Sequence, residues 1–112
     1  MSDMPRDGVE PIRSDFSGDP EMAELIQEFV TGLGDRSGKL REALQSGSLD
    51  YIQSEAHRLR GAAAGYGFAA IGDAAGQLED LLRADQQRVQ SQAEAIRDGV
   101  HQLVELCGRA IA

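Results

Sequence analysis

The sequence predicts an all-α fold: an up-down antiparallel four-helix bundle preceded by a mobile or short-helical N-terminal segment. In four successive segments, apolar residues recur at the three- and four-residue spacing of an amphipathic helix. The links between these segments are short, which favours antiparallel neighbours, and no segment alternates with the period of two typical of a strand. Only 4% of the residues are aromatic, so the core must be built from small and aliphatic side chains, which suits closely packed helices.

The chain has 112 residues, enough for one compact domain. Residues 1–18 are polar, contain prolines and glycines and show no sustained period, so they are interpreted as a mobile N-terminal tail. The end of this tail, near Ile12 or Phe16, is expected to pack against the remainder. Residues 19–112 are predicted to form the bundle.

The first helix is predicted to begin at Asp19, with Asp19 as N-cap, Pro20 at the first helical position and Glu21 near the positive end of the helix dipole. Gly47 closes this segment. Three glycines interrupt it, each costing about 1 kcal/mol relative to alanine, and they predict a kink or break. Its apolar positions and glycines are Leu25, Ile26, Phe29, Val30, Leu33, Leu40 and Leu44, and Gly32, Gly34 and Gly38.

Three further helices follow. Ser48 is expected to cap the second, which ends at the glycine-rich residues 65–67, and the third is predicted from Phe68 to Leu82. Asp85 is expected to cap the fourth, whose apolar residues alternate by four and three in the manner of a bundle seam. That stripe comprises Val89, Ala93, Ile96, Val100, Leu103 and Cys107.

His57 lies on the second helix, away from its apolar face. On a wheel of about 100° per residue, the apolar residues cluster about 140° from His57, so the ring is predicted to be substantially exposed to solvent. Arg60 and Gly61 lie on the same side, about one turn further along.

This arrangement suits phosphoryl transfer. An imidazole with an ordinary pKa of about 6.5 is a competent nucleophile near neutral pH. Arg60 would stabilise charge on the phosphoryl oxygens, and Gly61 would keep the surface low enough for a partner's active site to approach. The residues alone also allow a structural interpretation, in which His57 is a solvated surface residue and the alanines and glycines only permit close helix packing.

The sequence His57-Arg58-Leu59-Arg60-Gly61-Ala62-Ala63, followed by Gly67 and Ile71, resembles the signature of histidine phosphotransfer (HPt) domains. In that family a histidine is followed by any residue, an aliphatic residue, usually lysine, then glycine and small residues. The similarity extends to Asp19-Pro20-Glu21, which is predicted to open the first helix, and to Gln77-Leu78-Glu79 near the end of the third.

The resemblance implies that His57 is the phosphoacceptor, Arg60 the cation beside the phosphoryl group, Gly61 the clearance residue and Glu79 a group that orients the imidazole. The implied partners are receiver domains of response regulators or hybrid sensor histidine kinases, with Mg²⁺ on the receiver and no cofactor on this chain. Exposed small and apolar residues would form the docking surface. Its candidates are Ala64, Tyr66 and Phe68, and Tyr66 is equally a candidate for the core.

Composition excludes several other classes. The net charge of −8 argues against nucleic-acid backbones and anionic membrane surfaces. Cys107 is the single cysteine, so a reducing, cytoplasmic location is expected. No apolar run approaches the roughly 20 residues of a membrane span, and no phosphate-binding loop for ATP occurs. His101 is interpreted as a boundary residue rather than a metal ligand, and a monomer is expected.

The sequence therefore predicts a phosphocarrier that exchanges a phosphoryl group between His57 and a receiver aspartate. The alternative is a non-catalytic helical interaction module that binds through the same face, with His57 incidental. A kinase domain separated from its ATP-binding half ranks below both.

Overall fold

A computed structural model of the chain describes residues 10–84 and 92–112. These residues form four helices, α1 (Ala23–Ser46), α2 (Leu49–Gly65), α3 (Ala69–Arg83) and α4 (Ala93–Arg109). Each helix packs on the next along the chain, and α1 packs on α4. The predicted all-α four-helix bundle is confirmed. Within the described ranges, no helix combines the length and the apolar composition needed to cross a membrane.

The core is aliphatic, as the composition predicts. All four helices contribute buried side chains, and a stacked pair of phenylalanines lies between α1 and the α2–α3 turn, with Phe29 and Phe68 centred 5.6 Å apart. The seam predicted for the fourth helix is buried at Ile96, Val100, Leu103 and Cys107, whereas Ala93 is exposed. The predicted cap Asp85, and Val89, lie outside the described residues.

Helix α1 differs from the prediction at its start and in its middle. Asp19 is not its N-cap: the Asp19 carboxylate accepts a hydrogen bond from the Glu21 N–H at 2.9 Å within a turn, and the helix begins only at Ala23. The predicted kink is also wrong, since α1 runs unbroken through its three glycines to Ser46. A long buried stripe outweighs the propensity cost of those glycines.

Helix α2 begins where predicted, but Ser48 at the N-cap position accepts no capping hydrogen bond on its side chain. Its hydroxyl instead lies 2.8 Å from that of Ser46. The helix ends as the glycines predict. Gly67 has φ +84°, its N–H donates to the carbonyl of Ala64, and the N–H of Phe68 donates to the carbonyl of Ala63.

Residues 10–18 of the N-terminal segment are fastened to the bundle, and residues 1–9 of the predicted tail lie outside the described residues. Residues Ile12–Arg13 form a short strand, β1, which pairs in parallel with β2 (Ala110–Ile111) directly after α4. Neither strand was predicted from the sequence, because two residues are too few to display a period of two. As expected, Ile12 packs against the core, whereas the short helix considered for this segment does not occur in residues 10–18, which form β1 and turns.

Candidate functional site

His57 projects from the outer face of α2. Its side chain is 66% exposed, while Ile52 and Leu59 on the opposite face of the same helix are fully buried. The predicted exposure of the ring is confirmed. The helix therefore fixes the backbone of His57 and leaves one edge of the imidazole to solvent.

Glu79 reaches the ring from the neighbouring helix α3. Its side chain is only 2% exposed, and its Oε2 atom lies 2.7 Å from His57 Nδ1. α3 packs on α2 at Gly72, where an added Cβ would lie 3.4 Å from the carbonyl oxygen of Arg60. A buried carboxylate requires partners, and the imidazole is one of them.

The charge state of Glu79 follows from its neighbours. Burial raises the pKa of its carboxyl group, but hydrogen bonds from His57 and Arg60, together with the positive charge of Arg83, outweigh burial and hold the pKa below its ordinary value. Glu79 is therefore ionised at neutral pH, and an ionised carboxylate only accepts hydrogen bonds. In the neutral ring Nδ1 then carries the proton and donates a hydrogen bond to the Glu79 carboxylate, which leaves the lone pair on Nε2.

Two arginines share Glu79 with the histidine. Arg60 Nη1 lies 3.2 Å from Glu79 Oε1 and 3.5 Å from Asp80 Oδ1, and Arg83 Nη2 lies 3.0 Å from Glu79 Oε2. Both arginines are about half exposed, so their guanidinium groups border the ring at the surface. The site is thus a buried carboxylate surrounded by an imidazole and two cations.

Two glycines, Gly61 and Gly76, shape the protein surface around this cluster. At Gly61 an added Cβ would meet nothing within 4 Å, so the surface one turn after His57 is open. At Gly76 it would lie 3.0 Å from Arg60 Nε, so the arginine side chain crosses α3 over this glycine on its way to Glu79. The first glycine leaves space above the ring, and the second gives the cation its path.

The four residues singled out in the sequence thus lie together: His57, Arg60 and Glu79 are in contact, and Gly61 borders them. Arg83 was missed. Arg83 could have been found from its spacing, because it follows Glu79 by four residues and the two therefore lie on one face of α3.

The three docking candidates differ in their exposure to solvent. Phe68 is wrong as a docking residue, since it is buried in the core against Phe29. Ala64 is exposed, and Tyr66 is half-buried with its ring 5.0 Å from that of Phe29.

The remaining reactive side chains lie away from this cluster. His101 is exposed on α4, and Cys107 is buried. Burial raises the pKa of the Cys107 thiol to about 11, although a hydrogen bond with Ser37 lowers it in part. In residues 10–84 and 92–112 no three histidine, cysteine or carboxylate side chains converge as a metal site would require.

A family model described as Hpt domain matches residues 24–109, and the chain belongs to this family. Membership implies histidine phosphotransfer in a phosphorelay with receiver-domain partners, and members are typically phosphocarriers rather than enzymes. Neither the comparison with curated proteins nor that with solved structures gave a match.

Proposed function

We propose that this protein is a phosphocarrier in which Nε2 of His57 exchanges a phosphoryl group with the aspartate of a receiver domain. The observation that carries the proposal is the 2.7 Å hydrogen bond between His57 Nδ1 and the buried carboxylate of Glu79. It fixes the tautomer and the orientation of a ring that is otherwise exposed, so the nucleophilic nitrogen points toward solvent, where a partner can reach it.

Transfer toward this protein forms one bond and breaks one. The Nε2 lone pair attacks the phosphorus of the receiver's aspartyl phosphate, and the bond from phosphorus to the aspartyl oxygen breaks, with its electron pair leaving on the carboxylate. The ring, which still holds the Nδ1 proton, becomes positively charged. The carboxylate of Glu79 stabilises that charge at hydrogen-bond distance, and the reverse reaction restores the neutral ring.

The two arginines provide positive charge for the phosphoryl oxygens. Arg60 and Arg83 hold Glu79 while His57 is unphosphorylated. Both guanidinium groups are half exposed and line the same pocket as His57, so each is available to a phosphoryl group on Nε2. Arg60 is the principal candidate, because the family places a lysine at its position. Arg83 is the second.

The partner supplies the remaining chemistry. We propose that receiver domains of response regulators or hybrid sensor kinases bring the aspartate and Mg²⁺, and that this chain needs no cofactor of its own. We further propose a cytoplasmic monomer, in keeping with a chain whose single cysteine is a buried thiol. Glu79 would act as a positioning residue, and Gly61 would provide clearance.

The test is labelling with purified receivers that carry radioactive aspartyl phosphate. Wild-type protein should acquire a label that is lost in acid and retained in base, as phosphohistidine is, and His57→Gln should acquire none. The exposed ring makes this substitution compatible with folding, which the thermal midpoint Tm checks. A label of the same chemistry on His57→Gln would overturn the assignment. Receivers that bind the wild type without ever labelling it would favour a non-catalytic interaction module.

A further inference from the structure

Resting on the proposed function, we propose that Phe16, presented by the N-terminal segment, anchors the receiver domain in an acidic groove beside His57. Phe16 lies before residues 24–109, which the family model matches, so family membership does not assign it. The partner expected here is a receiver helix that carries an apolar side chain for Phe16 and lysine or arginine side chains for the rim of the groove.

Phe16 is held firmly in an exposed position. The N–H of Phe16 donates to the Ser14 hydroxyl at 2.9 Å, and its carbonyl accepts from Asp19 N–H at 2.9 Å. The Ser14 hydroxyl itself donates to the carbonyl of Tyr66 at 2.6 Å, and the N–H of Asp15 donates to the carbonyl of Gly67 at 2.9 Å. These bonds tie the segment to the α2–α3 turn.

The fit of the segment depends on Gly67. An added Cβ at that position would come within 2.5 Å of the Ser14 hydroxyl oxygen and 3.0 Å of the Phe16 ring. The turn is therefore shaped to receive the segment, yet 41% of Phe16 remains exposed. A rigid aromatic side chain at the surface suits a binding anchor, because little conformational freedom is lost when a partner covers it.

The ring stands at one end of a groove of about 470 Å³ between the N-terminal segment, α2 and α3. Arg60 and Asp80 line both this groove and the pocket around His57, so the groove lies next to the ring. The groove walls include small residues, which allow another helix to approach closely. These residues are Ala64, Gly67, Ala69, Gly72 and Gly76.

The charges along the groove determine what the partner must carry. Three carboxylates line it, those of Asp15, Asp73 and Asp80, against the single guanidinium of Arg60, which already pairs with Glu79. A helix with basic side chains complements this rim, and such complementarity accelerates association in a salt-dependent way. The rim therefore favours a basic receiver face and disfavours an acidic one.

The experiment compares Phe16→Ser with Leu25→Ser. Leu25 is a matched control, because it is 43% exposed on α1 and does not line the groove. Purified receivers from the source organism are titrated for binding, and the fastest donor is used for transfer. Phe16→Ser should bind about tenfold more weakly than either wild type or Leu25→Ser, as expected for loss of one apolar anchor.

For Phe16→Ser, the receiver concentration that gives half-maximal transfer should likewise rise about tenfold. The transfer rate at saturating receiver and the Tm should not change. Asp73→Asn should weaken the salt dependence of binding. Equal binding by Phe16→Ser and Leu25→Ser, with His57 still labelled, would overturn the docking site and leave the phosphocarrier intact. Phe16-dependent binding without any label on His57 would support the docking site and overturn the phosphocarrier assignment. Absence of saturable receiver binding to wild type would also overturn the docking site.

Discussion

Replacing Gly61 with leucine separates clearance from stability at the candidate site. Gly61 lies in mid-α2, four residues after His57, and an added Cβ there meets no atom within 4 Å. Side chains on a helix lean toward its N-terminus, so the leucine side chain would lie over the turn that carries His57. The change therefore adds a helix-favouring residue in open space and covers the approach to the ring.

The two effects have opposite signs. Leucine is a better helix former than glycine by roughly 0.8 kcal/mol, which corresponds to a rise in Tm of about 3–5 °C for a domain of this size. In-line transfer depends on a close approach, and a displacement of about 1 Å between reacting groups costs on the order of 100-fold in rate. Gly61→Leu should therefore melt higher and transfer about 100-fold more slowly.

Gly34→Leu is the matched control. Gly34 also lies in mid-helix, in α1, is exposed, and an added Cβ there likewise meets nothing within 4 Å. Both variants should gain stability in thermal melts followed by circular dichroism, and only Gly61→Leu should lose single-turnover transfer from a phosphorylated receiver. If the two variants transfer equally fast, clearance at position 61 has no role.

Three further predictions concern charge and protonation. Arg60→Ala should slow transfer about fivefold, less so at high salt, and Arg60→Lys should restore most of it; full activity of the alanine variant would refute the role. Because the pKa of Glu79 is lowered by folding, its stabilising effect is complete above about pH 4.5 and disappears as the pH falls through the folded value, so Glu79→Gln should flatten Tm against pH in that range. Cys107, with a pKa of about 11, should react with iodoacetamide at pH 8 only after unfolding, which mass spectrometry would detect.

The helices and the outward face of α2 could be predicted from the amino-acid sequence alone. Apolar spacing is a local property, so the bundle and the exposure of His57 were predictable from it. The HPt signature is also a local pattern, and it pointed to Arg60 and Gly61 as candidate site residues. Local rules were less reliable at helix ends: Asp19 has the residue type of an N-cap, yet the chain forms a turn there before α1 begins.

The side chains that surround the His57 ring depend on how the helices pack against each other. His57 and Glu79 are 22 positions apart, and their contact depends on the packing of α2 on α3. Arg83 enters the site through the same packing, since it binds a carboxylate that Arg60 also binds. The position of residues 10–18 could not be predicted from apolar periodicity. They are held by separate hydrogen bonds to Gly67 and to β2, and such contacts leave no repeating pattern in the sequence. The apolar spacing of a helix involves residues close together in the sequence, so it can be recognised locally. The partners of a buried charge such as Glu79 come from other turns and helices, and they depend on which helices pack together.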